Sequence, residues 1–183
     1  MKLIAEPLKG VKVIEGERYK DLRGHFNQVS QQDQLREVGV DQRFVQTNHA
    51  FSYQNVIRGL HYQTNQAKLI YLVSGKVLDV FVDVRHDSSD FGKWGSVWLE
   101  QSDTKLVYIP VGVLHGFVTV SKKSNLIYQM TANWDPAKEG GINPLDPRLD
   151  INWPLVGSAI LSDKDKSSQA FGQIDWELIQ WQM

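Results

Sequence analysis

The chain contains no cysteine. Disulfides, thiolate metal sites and a cysteine nucleophile are excluded together. No apolar run approaches the roughly 18 residues that a membrane-spanning helix needs. The opening residues, Met1-Lys2-Leu3-Ile4-Ala5-Glu6-Pro7, hold no apolar secretory core, so the expectation is a soluble, cytoplasmic protein. Neither sign of charge dominates, with 20 Lys and Arg against 21 Asp and Glu, so there is no general attraction to nucleic acid or to an anionic membrane. The Lys122-Lys123 pair reads as a solvated turn. Repeats, low-complexity segments and linkers are missing as well. The 183 residues, 42% of them hydrophobic, fit one domain spanning 1–183 with a sizeable core.

The periodicity is that of strands. Val11 to Ile14 is a first short candidate, followed by a charged turn and then His25 to Ser30. Gln31 to Val38 reads as a helix closed by Gly39. After Arg43 to Phe51, the stretch Arg58 to Gly75 reads as strand, polar loop, strand and a hairpin turn at Ser74-Gly75, with Lys76 to Arg85 as the returning partner. In that partner Val80, Val82 and Val84 share one face, and Asp79, Phe81 and Asp83 the other. Trp94 to Leu99, Lys105 to Ile109, Gly116 to Val120 and Leu126 to Trp134 complete the series. Many short strands with little helix between them predict an antiparallel sandwich or barrel. From Asp135 the texture turns to Pro, Gly, Asn and Asp, as in long loops that cover a surface or carry side chains into a site. Leu161 to Lys166 reads as an exposed turn or helix start, and Asp175 to Met183 as a short terminal helix or strand.

The chemistry concentrates around His61 and Lys68. Histidine moves a proton near neutral pH, and lysine is a compact positive charge, so the pair suggests proton transfer where negative charge develops. Alone, His61 reads as structural, His115 as a hydrogen-bonded core residue and Tyr128 as a core aromatic. His25 and His86 read as surface or turn residues, and His49 is only slightly more a site candidate. His61-Tyr62-Gln63 with Lys68, followed by Pro110-Val111-Gly112-Val113-Leu114-His115, resembles the two motifs of the cupins, metal-binding double-stranded jelly-roll barrels. Here Gln63 and Lys68 stand at two ligand positions. A protonated lysine has no lone pair for a metal and repels a cation, so the expectation is a metal-free barrel.

A narrower resemblance follows from an ordered set of motifs. Asp21-Leu22-Arg23-Gly24 with Phe26, Gln46-Thr47-Asn48-His49, Arg58-Gly59-Leu60-His61-Tyr62-Gln63 and Ala67-Lys68 come first. Phe91-Gly92-Lys93-Trp94, Ile109-Pro110, His115-Gly116-Phe117, Asn152-Trp153-Pro154-Leu155 and Leu161-Ser162-Asp163-Lys164-Asp165 follow. From about Val11 to Asp165 the chain resembles the dTDP-4-dehydrorhamnose 3,5-epimerase family, the RmlC type of the cupin superfamily. The resemblance implies an all-β, double-stranded β-helix jelly-roll barrel with short peripheral helices. It also implies an isomerase of deoxysugar and polysaccharide biosynthesis, a dTDP-4-keto-6-deoxyhexose substrate, a homodimer, and neither cofactor nor metal.

It assigns roles too. His61 would be the base, Asp165 its orienting carboxylate, Lys68 the stabiliser of an enolate, and Tyr128 the acid on the opposite face. Arg23, Phe26, Gln28, Gln46, Asn48, Arg58, His115, Trp134, Glu139 and Lys164 would contact substrate. Guanidinium groups suit the pyrophosphate, and Trp134, where many members have tyrosine, would stack on the thymine. Gln28 stands where the family has glutamate, and His25 is unusual inside the same motif. A C3-only epimerase or related nucleotide-sugar epimerase, a metal-dependent cupin oxygenase and a non-catalytic sugar-nucleotide-binding module remain the alternatives.

Overall fold

The alternating apolar side chains close into two facing antiparallel sheets in the computed structural model, which describes residues 1–182. The chain begins with β1 (Lys2–Leu8) and β2 (Val11–Glu15), then a small hairpin of β3 (Arg18–Asp21) and β4 (Gly24–Asn27). A short helix, α1 (Gln32–Glu37), leads to β5 (Gln46–Tyr53), β6 (Ile57–Gln63), β7 (Lys68–Ser74) and β8 (Lys76–Asp83). Next come β9 (Trp94–Glu100), β10 (Lys105–Ile109), β11 (Val113–Thr119), β12 (Lys123–Met130) and the short β13 (Glu139–Gly141). Helix α2 (Asp163–Lys166) and two 3-10 turns, Phe171–Gln173 and Trp176–Leu178, lie in the carboxyl-terminal segment. One sheet has the order β1-β2-β10-β7-β12-β5, the other β13-β6-β11-β8-β9. The chain changes sheet at nearly every step from β5 to β12, which is the winding of a jelly roll.

That winding corrects the reading of Ser74-Gly75 as a hairpin turn. β7 pairs with β10 and β12, whereas β8 pairs with β11 and β9 in the other sheet. Alternation reports which face of a strand is apolar, not which strand lies beside it. Gly75 instead turns a corner between sheets at φ 95°, where an added Cβ would lie 2.4 Å from the Lys123 carbonyl oxygen. The strand expected from His25 to Ser30 also shifts. β4 ends at Asn27, and the charged stretch before it is its partner β3. The helix expectation holds: Gly39 N–H donates to Arg36 O and Val40 N–H to Leu35 O, with Gly39 at φ 78°, a Schellman ending. Of the carboxyl-terminal tail, Met183 lies outside the described residues.

Three buried clusters follow from the alternation. Val77, Phe81, Val113, Phe117, Ile70 and Leu126 fill the space between the sheets. Leu78, Val80, Val82 and Leu114 point out of the five-stranded sheet, as the predicted faces of β8 require, and are covered by Ile142, Leu149, Trp153 and Trp176. Leu35 and Val40 cover Ile14, Leu69 and Leu106 on the outer face of the six-stranded sheet. Burying each such side chain contributes about 1.5–3 kcal/mol. The long loops after β13 thus cover a sheet, as their composition suggested.

The covering segment is tied at one point that matters for the site. Asn55, in the left-handed region at φ 65°, donates from Nδ2 to Val156 O at 2.6 Å and accepts Val156 N–H at 3.1 Å. Ile160 N–H donates to Asn55 O and Ile57 N–H to Ile160 O, at 2.9 and 3.0 Å. Helix α2 begins three residues later.

Candidate active site

His61 lies on β6 directly opposite His115 on β11. The register slips between His115 and Phe117, so that Arg58 rather than Gly59 meets Phe117. Gly59 permits the slip: a Cβ there would lie 2.6 Å from His115 O and 2.7 Å from Gly116 Cα. With that bulge Leu60 and Tyr62 face the outer cluster and His61 faces the interior. Of the turn or helix start expected at Leu161–Lys166, the helix start holds, as α2, though its Asp165 is buried rather than exposed. Ser162 caps the helix, its Oγ accepting Asp165 N–H at 3.1 Å. His61 Nε2 and Asp165 Oδ1 are then 2.5 Å apart.

Burial opposes ionisation of Asp165, yet the His61 ring, Ser162 and the Gly59 N–H outweigh it and hold the carboxyl below its ordinary range. An ionised carboxylate only accepts, so Nε2 carries the hydrogen, and in the neutral ring the lone pair is on Nδ1. This is the arrangement of a base whose charged form is stabilised from behind.

Lys68 and Tyr128 come from the other sheet. Lys68 begins β7, and Tyr128 sits on β12 opposite Asn48 and Ile70. Lys68 Nζ donates to His61 O at 3.2 Å, which bridges the two sheets and leaves two N–H bonds for a ligand. Burial pushes Lys68 down to about 8, against the pull of Glu139 and Asp79. His115 Nε2 donates to Asp79 Oδ1 at 2.7 Å. Burial lowers His115, with Lys68 and His61 adding to the effect and Asp79 opposing it, so the imidazole is neutral.

These groups line two adjoining hollows of about 380 and 430 Å³ that share His61, Lys68 and Tyr128. The first also takes in Arg58, His115, Lys164 and Asp165. Gln46, Asn48, Trp134 and Glu139 belong to the second. Gln46 braces that end, accepting Trp134 N–H at 2.8 Å and donating to Asn48 Oδ1 at 3.0 Å. Trp134 leaves half its surface exposed, open for a ring to stack on. Lys164 and Glu139 join the hollows with an ion pair of 2.5 Å.

Three expected residues do not line this cleft. Arg23, Phe26 and Gln28 sit in or just after the β3–β4 hairpin, exposed to solvent. Asn27 Nδ2 donates to Tyr71 OH at 2.7 Å, and Tyr71 packs with the outer cluster of the six-stranded sheet. The sheet's own thickness separates the hairpin from Lys68. His49 bonds Asn125, and His25 and His86 are exposed, as their surface readings had it. Asp79 and Met130 reach the site or its partners without having been singled out in the sequence. For Asp79 the signal was an acid on the inward face of a valine-rich strand.

The donor set does not fit the metal of a cupin. Gln63 Oε1 accepts Asp135 N–H at 3.3 Å, and Lys68 places an ammonium where a ligand oxygen is required. Among the described residues no three His, Asp or Glu gather as metal ligands, and no helix is long and apolar enough to cross a membrane.

Residues 5–173 match the family model described as dTDP-4-dehydrorhamnose 3,5-epimerase. The chain belongs to that family. A dTDP-4-dehydrorhamnose 3,5-epimerase of Pseudomonas aeruginosa is 38% identical over 178 residues, 96% of this chain and 98% of that protein. A Legionella pneumophila dTDP-6-deoxy-D-glucose-3,5-epimerase, solved with dTDP-4-keto-L-rhamnose, superposes with a TM-score of 0.93 at 37% identity, covering 100% and 98% of the two chains. A dTDP-4-dehydrorhamnose 3-epimerase of Streptomyces niveus is 36% identical over 92% of this chain and 83% of its own. Family membership and the jelly roll agree with the sequence reading. The epimerase scaffold therefore carries relatives named for one centre and for two.

Proposed function

We propose that the protein is an isomerase that epimerises a dTDP-4-keto-6-deoxyhexose at C3 and C5, turning dTDP-4-dehydro-6-deoxy-D-glucose into dTDP-4-dehydro-L-rhamnose. The observation that carries this reading is the placement of His61 and Tyr128 on opposite sheets of one cleft that the Lys68 ammonium also lines. The C4 carbonyl makes the hydrogens on C3 and C5 acidic, because either carbanion delocalises onto that oxygen. His61 Nδ1 takes the proton and Asp165 stabilises the resulting imidazolium. Lys68 stabilises the enolate oxygen without moving a proton. Tyr128 then protonates the same carbon from the other side, inverting it, and solvent resets both groups.

The nucleotide is assigned to the hollow that Trp134 borders, with its base on the indole and Arg58 toward the pyrophosphate. Arg23, Phe26 and Gln28 keep their assignment only as residues of a second copy. We infer a homodimer in which the hairpin of one chain reaches the cleft of its partner, since its own sheet bars it from its own cleft.

Inversion at C3 alone is the second reading, favoured by the single-centre name of the Streptomyces niveus relative. Incubation with dTDP-4-keto-6-deoxyglucose in D2O decides between them. Deuterium with inversion at both C3 and C5 is expected. Inversion at C3 alone selects the second reading, and binding without exchange at either carbon overturns both.

A further inference from the structure

Inside the barrel one acid is left over from the mechanism. Asp79 has no exposed surface, and its neighbours Leu78 and Val80 face outward, so its carboxylate points between the sheets. One oxygen accepts from His115; the other has no hydrogen-bond partner among the described residues. A carboxylate so deeply placed is costly to keep ionised unless positive charge or hydrogen-bond donors answer it. The inward groups run Asp79, His115, His61 across the adjacent strands β8, β11 and β6, and Lys68 is bonded to the His61 carbonyl at their end.

The other charges around Lys68 are already engaged. β6 contributes His61 and Arg58, β11 His115, β12 Tyr128, β13 Glu139, and α2 Lys164 and Asp165. Glu139 is paired with Lys164, and Asp165 with His61. Arg58 is a cation, held by Ser52 Oγ and Phe51 O, and adds no negative charge for Lys68. Asp79 has no partner but a neutral imidazole, so the Asp79–His115 unit carries a full negative charge, and it is Asp79 rather than the Asp165 behind His61 that acts on Lys68.

We propose that Asp79, acting through His115, is the buried counter-charge that keeps Lys68 an ammonium in the closed barrel. It is a positioning residue for the enolate-stabilising cation, a role that rests on the assignment of Lys68 above. Glu139 and Asp79 are the two groups that hold Lys68 up against its burial, and Glu139 shares its charge with a lysine at the rim.

The test is titration of the resting enzyme, followed by NMR at 13Cε of Lys68 in the parent and in Asp79→Asn. Asparagine keeps the shape and the acceptor for His115 and removes the charge. The Lys68 midpoint must fall, and the alkaline limb of kcat must move to lower pH with it. An unchanged midpoint in a folded variant overturns the proposal. Should Asp79→Asn not fold, Asp79→Ser makes the same neutral replacement and must give the same fall. The parent provides a further reading: an Asp79 carboxyl that stays protonated while Lys68 titrates overturns the proposal without any variant. The NMR titrations need no turnover, so they stand or fall separately from the epimerase assignment.

Discussion

His61 and His115 face one another across β6 and β11, and each donates Nε2–H to an aspartate, at 2.5 and 2.7 Å. Their surroundings differ. The His61 side chain is 28% exposed to the cleft and its carboxylate arrives from a rim helix, whereas His115 is 9% exposed and Asp79 not at all. A ring that sees the cleft can take a proton and have the charge answered. A ring enclosed beside Lys68 is held neutral and serves as a fixed polar wall. On the proposed mechanism the same pair of residue types is a base in one place and an element of the field in the other, and burial decides which.

The largest effect expected from this contrast is at His61. His61→Asn abolishes deuterium wash-in and epimer formation together, by ~10²–10⁴-fold as for a lost general base. His115→Asn leaves exchange measurable; if it silences exchange as completely, the contrast fails. Next is Tyr128→Phe. His61 still forms the enolate, and return of the proton from the original face gives substrate labelled with solvent deuterium, so exchange persists while inversion is largely lost. Inversion at the parental rate would make Tyr128 only a core aromatic.

A milder effect comes from pH. Lys68 acts as an ammonium and is held near 8, so its contribution is complete at lower pH and fades as pH rises through about 8. Turnover measured from neutral into alkaline buffer should fall across that interval, and a flat profile removes Lys68 from the charge-stabilising role. The smallest is at Trp134, where loss of a stacking platform costs about 1–3 kcal/mol of binding. Trp134→Ala weakens substrate affinity accordingly and Trp134→Tyr keeps most of it; two variants that bind like the parent place the base elsewhere.

The sequence disclosed strands and their faces because alternation is local. Val80, Val82 and Val84 did share one face of β8, and Gly39 did end α1. Pairing was not legible, since the corner at Gly75 is made by the close approach of Lys123, some fifty positions away. Residues of the cleft that sit in dense motifs, such as Arg58 and His61, were readable as a set. Asp79 was not, because an acid on a strand looks like a solvent-facing residue until the opposing sheet is placed over it. Arg23 and Phe26 lie in a dense motif yet stand outside the cleft, because a motif carries no information on which side of a sheet its residues will lie.

The clamp at Asn55 ties down a strap, and only past it does the chain supply Asp165 and Lys164. Opening that strap breaks the bonds of Ile160 with Asn55 and Ile57 but none of the ladders among β6, β8 and β11. Such sub-global opening requires less free energy than unfolding the whole. The His61–Asp165 pair is therefore assembled from parts of unequal permanence, His61 belonging to the barrel and Asp165 to its fastening. On warming, amide protons of Ile57 and Ile160 exchange ahead of those in β8, and turnover declines while the sheets are still intact.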